Sequence, residues 1–308
     1  MSNTSLDIIF YYMFVMWRIH TCDPTVNHGV SDELGLVQFL KATRELLNAR
    51  ESPQITCALH HQYEDSGNHQ STTSMDMSDN NDTLHQSFFF GTKQMTAIFN
   101  HLPPPHLFHS SSTLQSSHCV FMEYCRTIAL QIHPTETLRV TFMVDVRGKP
   151  GLNLPPGYYG NSSVSPAAIS KAEMLCKNPL EYAVELVKKA KARVTEKYIR
   201  SVADFLVVKR RPPCSRSWNF IVSDTTHAGF GEVDFGWGKP VYGGPVGGTS
   251  FSSPYALFRN GDAEHGIAVP VCLPVAAMER FKVELWRTTM GTNGDSHVVE
   301  PIKISSML

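Results

Sequence analysis

Asp234-Phe235-Gly236-Trp237-Gly238-Lys239-Pro240 is the stretch on which the reading of this chain turns. Glycines alternate with aromatic residues and a proline closes the run, the composition of a tight turn. Its first three residues match the Asp-Phe-Gly of protein kinases. No glycine-rich loop, catalytic-loop Asp or strand Lys stands upstream in kinase order, so that reading is set aside. Ser223-Asp224 and Ala228-Gly229-Phe230-Gly231-Glu232-Val233 lie before the stretch, and Val241-Tyr242-Gly243-Gly244-Pro245 after it. Residues 243–250, GGPVGGTS, space their glycines like a phosphate loop but lack its Lys, and read as a flexible turn.

Outward from this turn, strands and helices mix without strict alternation, which predicts mixed α/β architecture. The apolar run Ile8–Trp17 is too short to cross a bilayer as a helix and reads as a strand. Residues 31–48 carry Leu36, Phe39, Leu40, Thr43 and Leu47 at helical spacing, with Ser31 or Asp32 as cap. Residues 62–87 are almost wholly polar and read as a linker, followed by a short strand at Ser87–Gly91 and a helix from about Lys93. Further expectations are a helix over 111–130 and a strand over 138–146. A helix beginning at Asn178-Pro179 is expected to run on through Val202, with Asn178 as N-cap, and strands over 218–222 and 267–273.

The 308 residues carry 27 Lys and Arg against 28 Asp and Glu. That balance gives no net field to draw nucleic acid or an anionic membrane. The basic run Lys188, Lys189, Lys191, Arg193 reads as a solvated helix face. Seven cysteines, none in a CxxC pair, indicate a reducing compartment and hence a cytoplasmic protein. His60-His61 with Cys57 and Glu64 fits no standard zinc spacing, so no metal site is expected. No GxSxG supplies a serine nucleophile.

A second short motif lies far upstream: His28-Gly29-Val30-Ser31-Asp32, an HxxxD preceded by Asn27 and followed by Gly35-Leu36. Alone its spacing says little. In this order, the two motifs resemble the plant BAHD acyltransferases, in particular their alcohol acyltransferase branch with the benzyl alcohol O-benzoyltransferases. Residues 45–50, 87–91, 125–131, 157–161, 184–207 and 266–278 extend the likeness. The segment that precedes HxxxD in the family has no counterpart here, and the helix sequence around Gln115–Tyr124 is altered. The resemblance therefore implies an N-terminally truncated member. Its fold would be a two-domain, chloramphenicol acetyltransferase-like α/β arrangement of mixed sheets with helices, the first domain incomplete. Residues 1–50 would be the remnant carrying HxxxD, 51–87 a polar crossover linker, and 88–308 the C-terminal domain carrying DFGWG.

The resemblance implies transfer of an acyl group from acyl-CoA to the hydroxyl of a small alcohol. Acyl-CoA would be a co-substrate with no permanently bound cofactor, and the chain a monomer without nucleic-acid or membrane partners. Such chemistry needs a base for the hydroxyl proton, a donor for the oxyanion and a channel that excludes water. The family pattern puts His28 in the role of base, with no acyl-enzyme. Asp32 would pair with Arg147 and lock the loop that carries His28, while also capping the helix. Trp218 matches a position near the oxyanion, where its indole N–H could donate, and is equally read as a buried strand aromatic. Asp234 has been treated as catalytic in the family. Its setting, with Gly236, Trp237 and Gly238, argues for a structural ion pair that shapes the channel. The rival expectation is a catalytically inactive remnant that only binds coenzyme A or a full-length relative.

Overall fold

The computed structural model describes residues 10–16, 21–22, 25–27, 31–47, 82–102, 111–209, 217–236, 238–245, 247–260, 264–289 and 301–302. In chain order the elements begin β1 (Phe10–Met16), β2 (Thr21–Cys22), β3 (Thr25–Asn27), α1 (Glu33–Leu47), β4 (Thr83–Phe90), α2 (Thr92–Phe99) and α3 (Ser111–Ala129). There follow β5 (Thr137–Phe142), β6 (Val144–Asp145), β7 (Ser163–Val164), β8 (Ala167–Lys171), α4 (Ala172–Lys177), α5 (Leu180–Ala192) and α6 (Glu196–Lys209). The last are β9 (Asn219–Asp224), β10 (Tyr242–Pro245), β11 (Ser252–Asn260), β12 (Glu264–Pro274), α7 (Val275–Thr289) and β13 (Pro301–Ile302).

One sheet runs in the order β13-β4-β12-β11-β10-β1-β2. Strand β11 is shared between two neighbourhoods. Its second half, Ala256–Asn260, pairs antiparallel with β12, while Ser252–Tyr255 pairs parallel with β9. Beyond β9 come β5, parallel to it, and β8, antiparallel to β5. The apolar run near the N-terminus is strand β1, hydrogen-bonded antiparallel to β10 through Met13↔Pro245 to Met16↔Tyr242.

The two-residue alternation of strands sorts the core. Val269, Val271 and Leu273 of β12 meet Phe121 of α3 and Met278 and Phe281 of α7, whereas Ala268 joins Phe89, Tyr242 and Phe258 on the opposite face. Helix α3 stands between two clusters. Phe121 and Cys125 belong to the first, and Val120 packs with Leu138, Val184 and Val187 in the second. Each fully buried side chain of this size contributes about 1.5–3 kcal/mol. No described helix is long and apolar enough to cross a membrane.

Several expectations change. Strand β4 begins at Thr83, inside the stretch read as linker and across the boundary expected at 87/88. Its polar residues alternate outward while its backbone pairs with β12 from Thr83↔Pro274 to Phe90↔Ile267, so ladder bonds carry a strand that composition hides. The glycine-rich turn is in part strand β10. A Cβ on Gly243 would overlap Phe230 Cβ, and one on Gly244 would overlap Ala256 Cβ, so these glycines permit close packing rather than flexibility. Pro179, not Asn178, is the N-cap of α5. Asn178 Nδ2 donates back to Met174 O at 2.7 Å and closes α4 instead. The long helix breaks between Ala192 and Glu196, where Thr195 Oγ1 accepts from Tyr198 N at 3.3 Å and starts α6. The strand over 138–146 divides at Met143 into β5 and β6.

Candidate active site

Asp32 sits at the N-terminal end of α1, 5 % exposed. Its Oδ1 accepts from Gly35 N at 3.0 Å, the bond of an N-cap. The same oxygen accepts from Arg147 Nη2 at 2.7 Å, and Oδ2 accepts from Ser162 N at 3.0 Å. A helix cap and a buried ion pair thus share one carboxylate.

Arg147 follows β6 and is the hub of this join. Its Nε donates to Tyr158 O at 3.0 Å, Nη2 to Gly160 O at 2.6 Å, and Nη1 to Asp145 Oδ1 at 2.9 Å. Asp145 Oδ1 also takes Arg147 N at 3.2 Å and Ser162 Oγ at 3.1 Å. Burial works against the guanidinium charge, yet the carboxylates of Asp32 and Asp145 hold its pKa above the usual value. Ser31 Oγ donates to Tyr159 O at 3.1 Å. Gly35 lies so close to that carbonyl that a Cβ would overlap it. The turn of residues 157–162 is therefore docked directly on the start of α1.

The other side of α1 meets the second motif. Leu36, Val37 and Leu40 pack with Ala228, Phe230 and Val233, and Leu34 and Phe235 flank them. Ser223 Oγ donates to Glu33 Oε1 at 2.8 Å. The two motifs, remote in sequence, are joined by one helix that is polar at its tip and apolar along its side.

Asp234 caps a turn. Its Oδ1 accepts from Gly236 N at 2.8 Å and from Gly238 N at 3.0 Å. Both glycines have left-handed backbones, with φ +99° and +90°, which explains the glycines of the motif. Among the described residues no basic side chain pairs with Asp234, whose described partners are the two amides of this turn. A carboxylate set against successive N–H groups satisfies them without a cation.

A cleft of about 510 Å³ opens beside this join. Asp32, Glu33, Asp145, Lys149, Lys191, Asp224 and His227 supply its charged and imidazole groups. Lys191 departs from the solvated face expected of its basic run: it lines the cleft with Nζ 5.6 Å from the Phe142 ring centroid. Burial lowers its pKa, opposed by Cys119 and Asp224. Met143, Lys191 and Asp224 also line a smaller inner cavity of about 50 Å³.

Of the residues singled out from sequence, Asp32 and Arg147 are brought together, and Gly236 and Gly238 form the Asp234 turn. Trp218 is not among the residues that line the cleft. It precedes β9, five residues and about 17 Å of strand from Ser223, and packs against the cluster of Leu138 and Val187. His28 and Trp237 lie outside the described residues. Sequence reasoning gave no role to Ser162, Lys149 or His227. Ser162 acts through its backbone N–H, which no side-chain pattern announces.

The sequence profile of the Transferase family matches residues 24–287, a span that holds both motifs. Alcohol acyl transferase 1 (allele GSa) of Malus domestica is 48 % identical over 290 residues, covering 88 % of this chain and 62 % of that relative. Benzyl alcohol O-benzoyltransferase of Petunia hybrida is 46 % identical over 282 residues, covering 84 % and 60 %. The chain thus spans about three-fifths of the length of these relatives. Among solved structures, vinorine synthase superposes with a TM-score of 0.63 at 16 % identity, over 86 % of this chain and 61 % of that one. F. graminearum TRI101 complexed with ethyl coenzyme A gives a TM-score of 0.63 at 14 % identity, over 84 % and 63 %. The mixed α/β fold is that of these proteins, and the chain belongs to the Transferase family, that of the BAHD acyltransferases.

Proposed function

We propose that this chain transfers an acyl group from acyl-CoA to the hydroxyl of a small alcohol, benzyl alcohol among the candidates, with His28 as general base. The observation that carries the reading is the buried Asp32–Arg147 pair, four residues beyond His28, which fixes the start of α1 against the turn at Gly160. The names of the relatives, alcohol acyl transferase and benzyl alcohol O-benzoyltransferase, supply the substrate class.

In this reaction neutral His28 takes the hydroxyl proton as the alcohol oxygen attacks the thioester carbonyl. A carbon–oxygen bond forms, the tetrahedral intermediate collapses, and the carbon–sulfur bond breaks. The proton held by His28 passes to the departing coenzyme A thiolate. No acyl-enzyme is required, because the thioester is already activated. Asp32 and Arg147 touch neither reactant and act by positioning. The cleft beside Asp32 is of the size that small ligands occupy. The reaction calls for neither membrane nor nucleic acid, and the chain is proposed to work as a cytoplasmic monomer.

The test is ester synthesis by the purified 308-residue chain, with acetyl-CoA or benzoyl-CoA and a panel of alcohols. Ester formation is expected, and His28→Ala should lower kcat by about 10²–10⁴, the usual effect of a positioned general base. Thioester loss without ester would indicate hydrolysis. Neither product from a folded chain would favour a catalytically inactive form that binds coenzyme A or a longer relative. Synthesis that survives His28→Ala at the original rate would remove His28 from the mechanism.

A further inference from the structure

Strand β9 and helix α5 undergo the same change of chemistry as they approach the cleft. On β9, Val222 and Asp224 are two residues apart and share a face, about 7 Å apart along the strand. On α5, Val187 and Lys191 are one helical turn apart on one face. Val222 and Val187 are buried, at 1 % and 3 % exposure, whereas Asp224 and Lys191 line the cleft beside Asp32. On each element an apolar residue thus lies on the inner side of a charged one. Strand β5 adds Phe142, opposite Val222 in the register of the two parallel strands.

These side chains enclose the inner cavity of about 50 Å³. Cys119 of α3 lines it as well; burial pushes its thiol pKa up, so it stays neutral and acts as a small apolar group. Met143, Lys191 and Asp224 line cavity and cleft alike, so the two spaces share a boundary. Met143 stands where β5 gives way to β6, and its Sδ accepts from Ser165 Oγ at 3.1 Å. Its unbranched side chain can adapt to an occupant. A smaller cavity of about 20 Å³, beside Val120, Leu138 and Leu175, shares no lining residue with the cleft. Close-packed interiors keep few voids larger than a water molecule. This one is apolar within and charged at the side that meets the cleft.

We propose that the inner cavity is a subsite for the short hydrocarbon tail of a reactant, the acyl group's or the alcohol's, and that Val222 and Val187 limit its length. The inference rests on the acyl-transfer reading above. A water-sized group needs about 10–15 Å³ of such space, so roughly three to five chain atoms fit. An apolar cavity that takes benzene measures about 150 Å³, so a phenyl ring stays in the larger cleft. The buried side chains of the cavity are hydrocarbon and thiol. A hydroxylated or charged tail would lose its water there without a side chain to replace it.

The experiment measures ester synthesis by the full chain along two series. One runs through acetyl-, butanoyl- and hexanoyl-CoA with a single alcohol, the other through ethanol, butanol and hexanol with a single thioester. Val222→Ile adds one methyl group to the wall and keeps a β-branched residue in the strand. It should lower kcat/KM for the four-carbon reactant relative to the two-carbon one by about tenfold, the scale of one methylene in an apolar pocket. Val187→Ala widens the cavity from the other element and should raise the six-carbon reactant relative to the four-carbon one by about the same factor. A shift in the thioester series assigns the tail to the acyl group, and a shift in the alcohol series assigns it to the alcohol. Melting temperatures report folding, and if one variant fails to fold the other decides, since it acts from a different element in the opposite direction. Ratios that the folded variants leave unmoved in both series would overturn the proposal. Equilibrium binding of the same compounds separates that result from failure of the acyl-transfer reading. A chain that makes no ester, yet binds the four-carbon compound more tightly than the two-carbon one until Val222→Ile removes the difference, retains the subsite and loses the chemistry. A chain that binds every length alike, before and after substitution, has no such subsite.

Discussion

Asp32 and Asp234 hold comparable bonds in unlike settings, and the difference fixes what each substitution should do. Asp32 is buried and shares its charge with Arg147, so removing Arg147 leaves a buried carboxylate without its cation, whereas removing Asp32 leaves Arg147 still paired with Asp145. Arg147→Ala should cost about 3–5 kcal/mol in urea unfolding, and Asp32→Asn less. Combined, they should cost clearly less than the sum, because both break one pair. Strict additivity would show that the two residues act independently. Asp234 instead offers one oxygen to the amides of Gly236 and Gly238 at an exposed turn. Asn keeps a carbonyl oxygen there, so Asp234→Asn should cost less than about 1 kcal/mol, and Asp234→Ala about 1–2 kcal/mol, the scale of a lost cap. Gly236→Ala should cost about 1–2 kcal/mol through its left-handed backbone. An ion-pair anchor would make Asn nearly as damaging as Ala, and thermal melts of the three variants separate the two accounts.

Helix α3 carries two buried ionisable groups that pull in opposite directions. His118 lies between the rings of Phe90 and Tyr255, at 4.4 and 5.1 Å between centroids, and burial lowers its pKa to about 3. Glu123 is pushed up to about 7 by burial, against the pull of Arg126 at 3.5 Å. Between pH 3 and 6.5 the unfolded chain takes up a proton at His118 that the folded chain refuses, so this residue makes stability rise with pH. Between pH 4.5 and 7 the folded chain holds a proton on Glu123 that the unfolded chain has released, so this residue makes stability fall as pH rises. The two slopes, each up to about 1.4 kcal/mol per pH unit, should cancel where the windows overlap. His118→Leu should abolish the loss of stability on the acid side, and Glu123→Gln the decline toward pH 7. Unfolding free energies measured across pH 3 to 7.5 check both, and a variant whose pH profile matched the parent would refute its assignment. The pair also ties this helix to the sheet, since Arg126 Nη2 donates to Ser250 O at 3.1 Å and its guanidinium carbon lies 4.4 Å from the Phe220 ring centroid.

At the scale of the whole molecule, the sequence made legible those elements that combine a helical or alternating period with a clear boundary. α1, α2 and α3 and the strands β1, β9 and β12 fall where the pattern puts them. The first half of β4 and all of β10 were hidden, one by polar residues and one by glycines, because a strand made by ladder bonds to neighbours needs no apolar composition of its own. The breaks at Arg193 and Met143 escaped detection because the hydrophobic period continues across both. For the site, Asp32 and Arg147 could be matched through motifs, but the contributions of Ser162 N and the carbonyls of Tyr158 and Gly160 belong to the backbone and leave no trace in residue type. Those same bonds carry a consequence for how the chain comes into being. Asp32 waits for Arg147, 115 residues later, and for Ser162, 130 residues later, while Glu33 waits for Ser223, 190 residues later. A ribosome adds about 5–20 residues each second. The start of α1 is thus synthesised seconds before Arg147, Ser162 and Ser223, the partners that hold it in the folded chain.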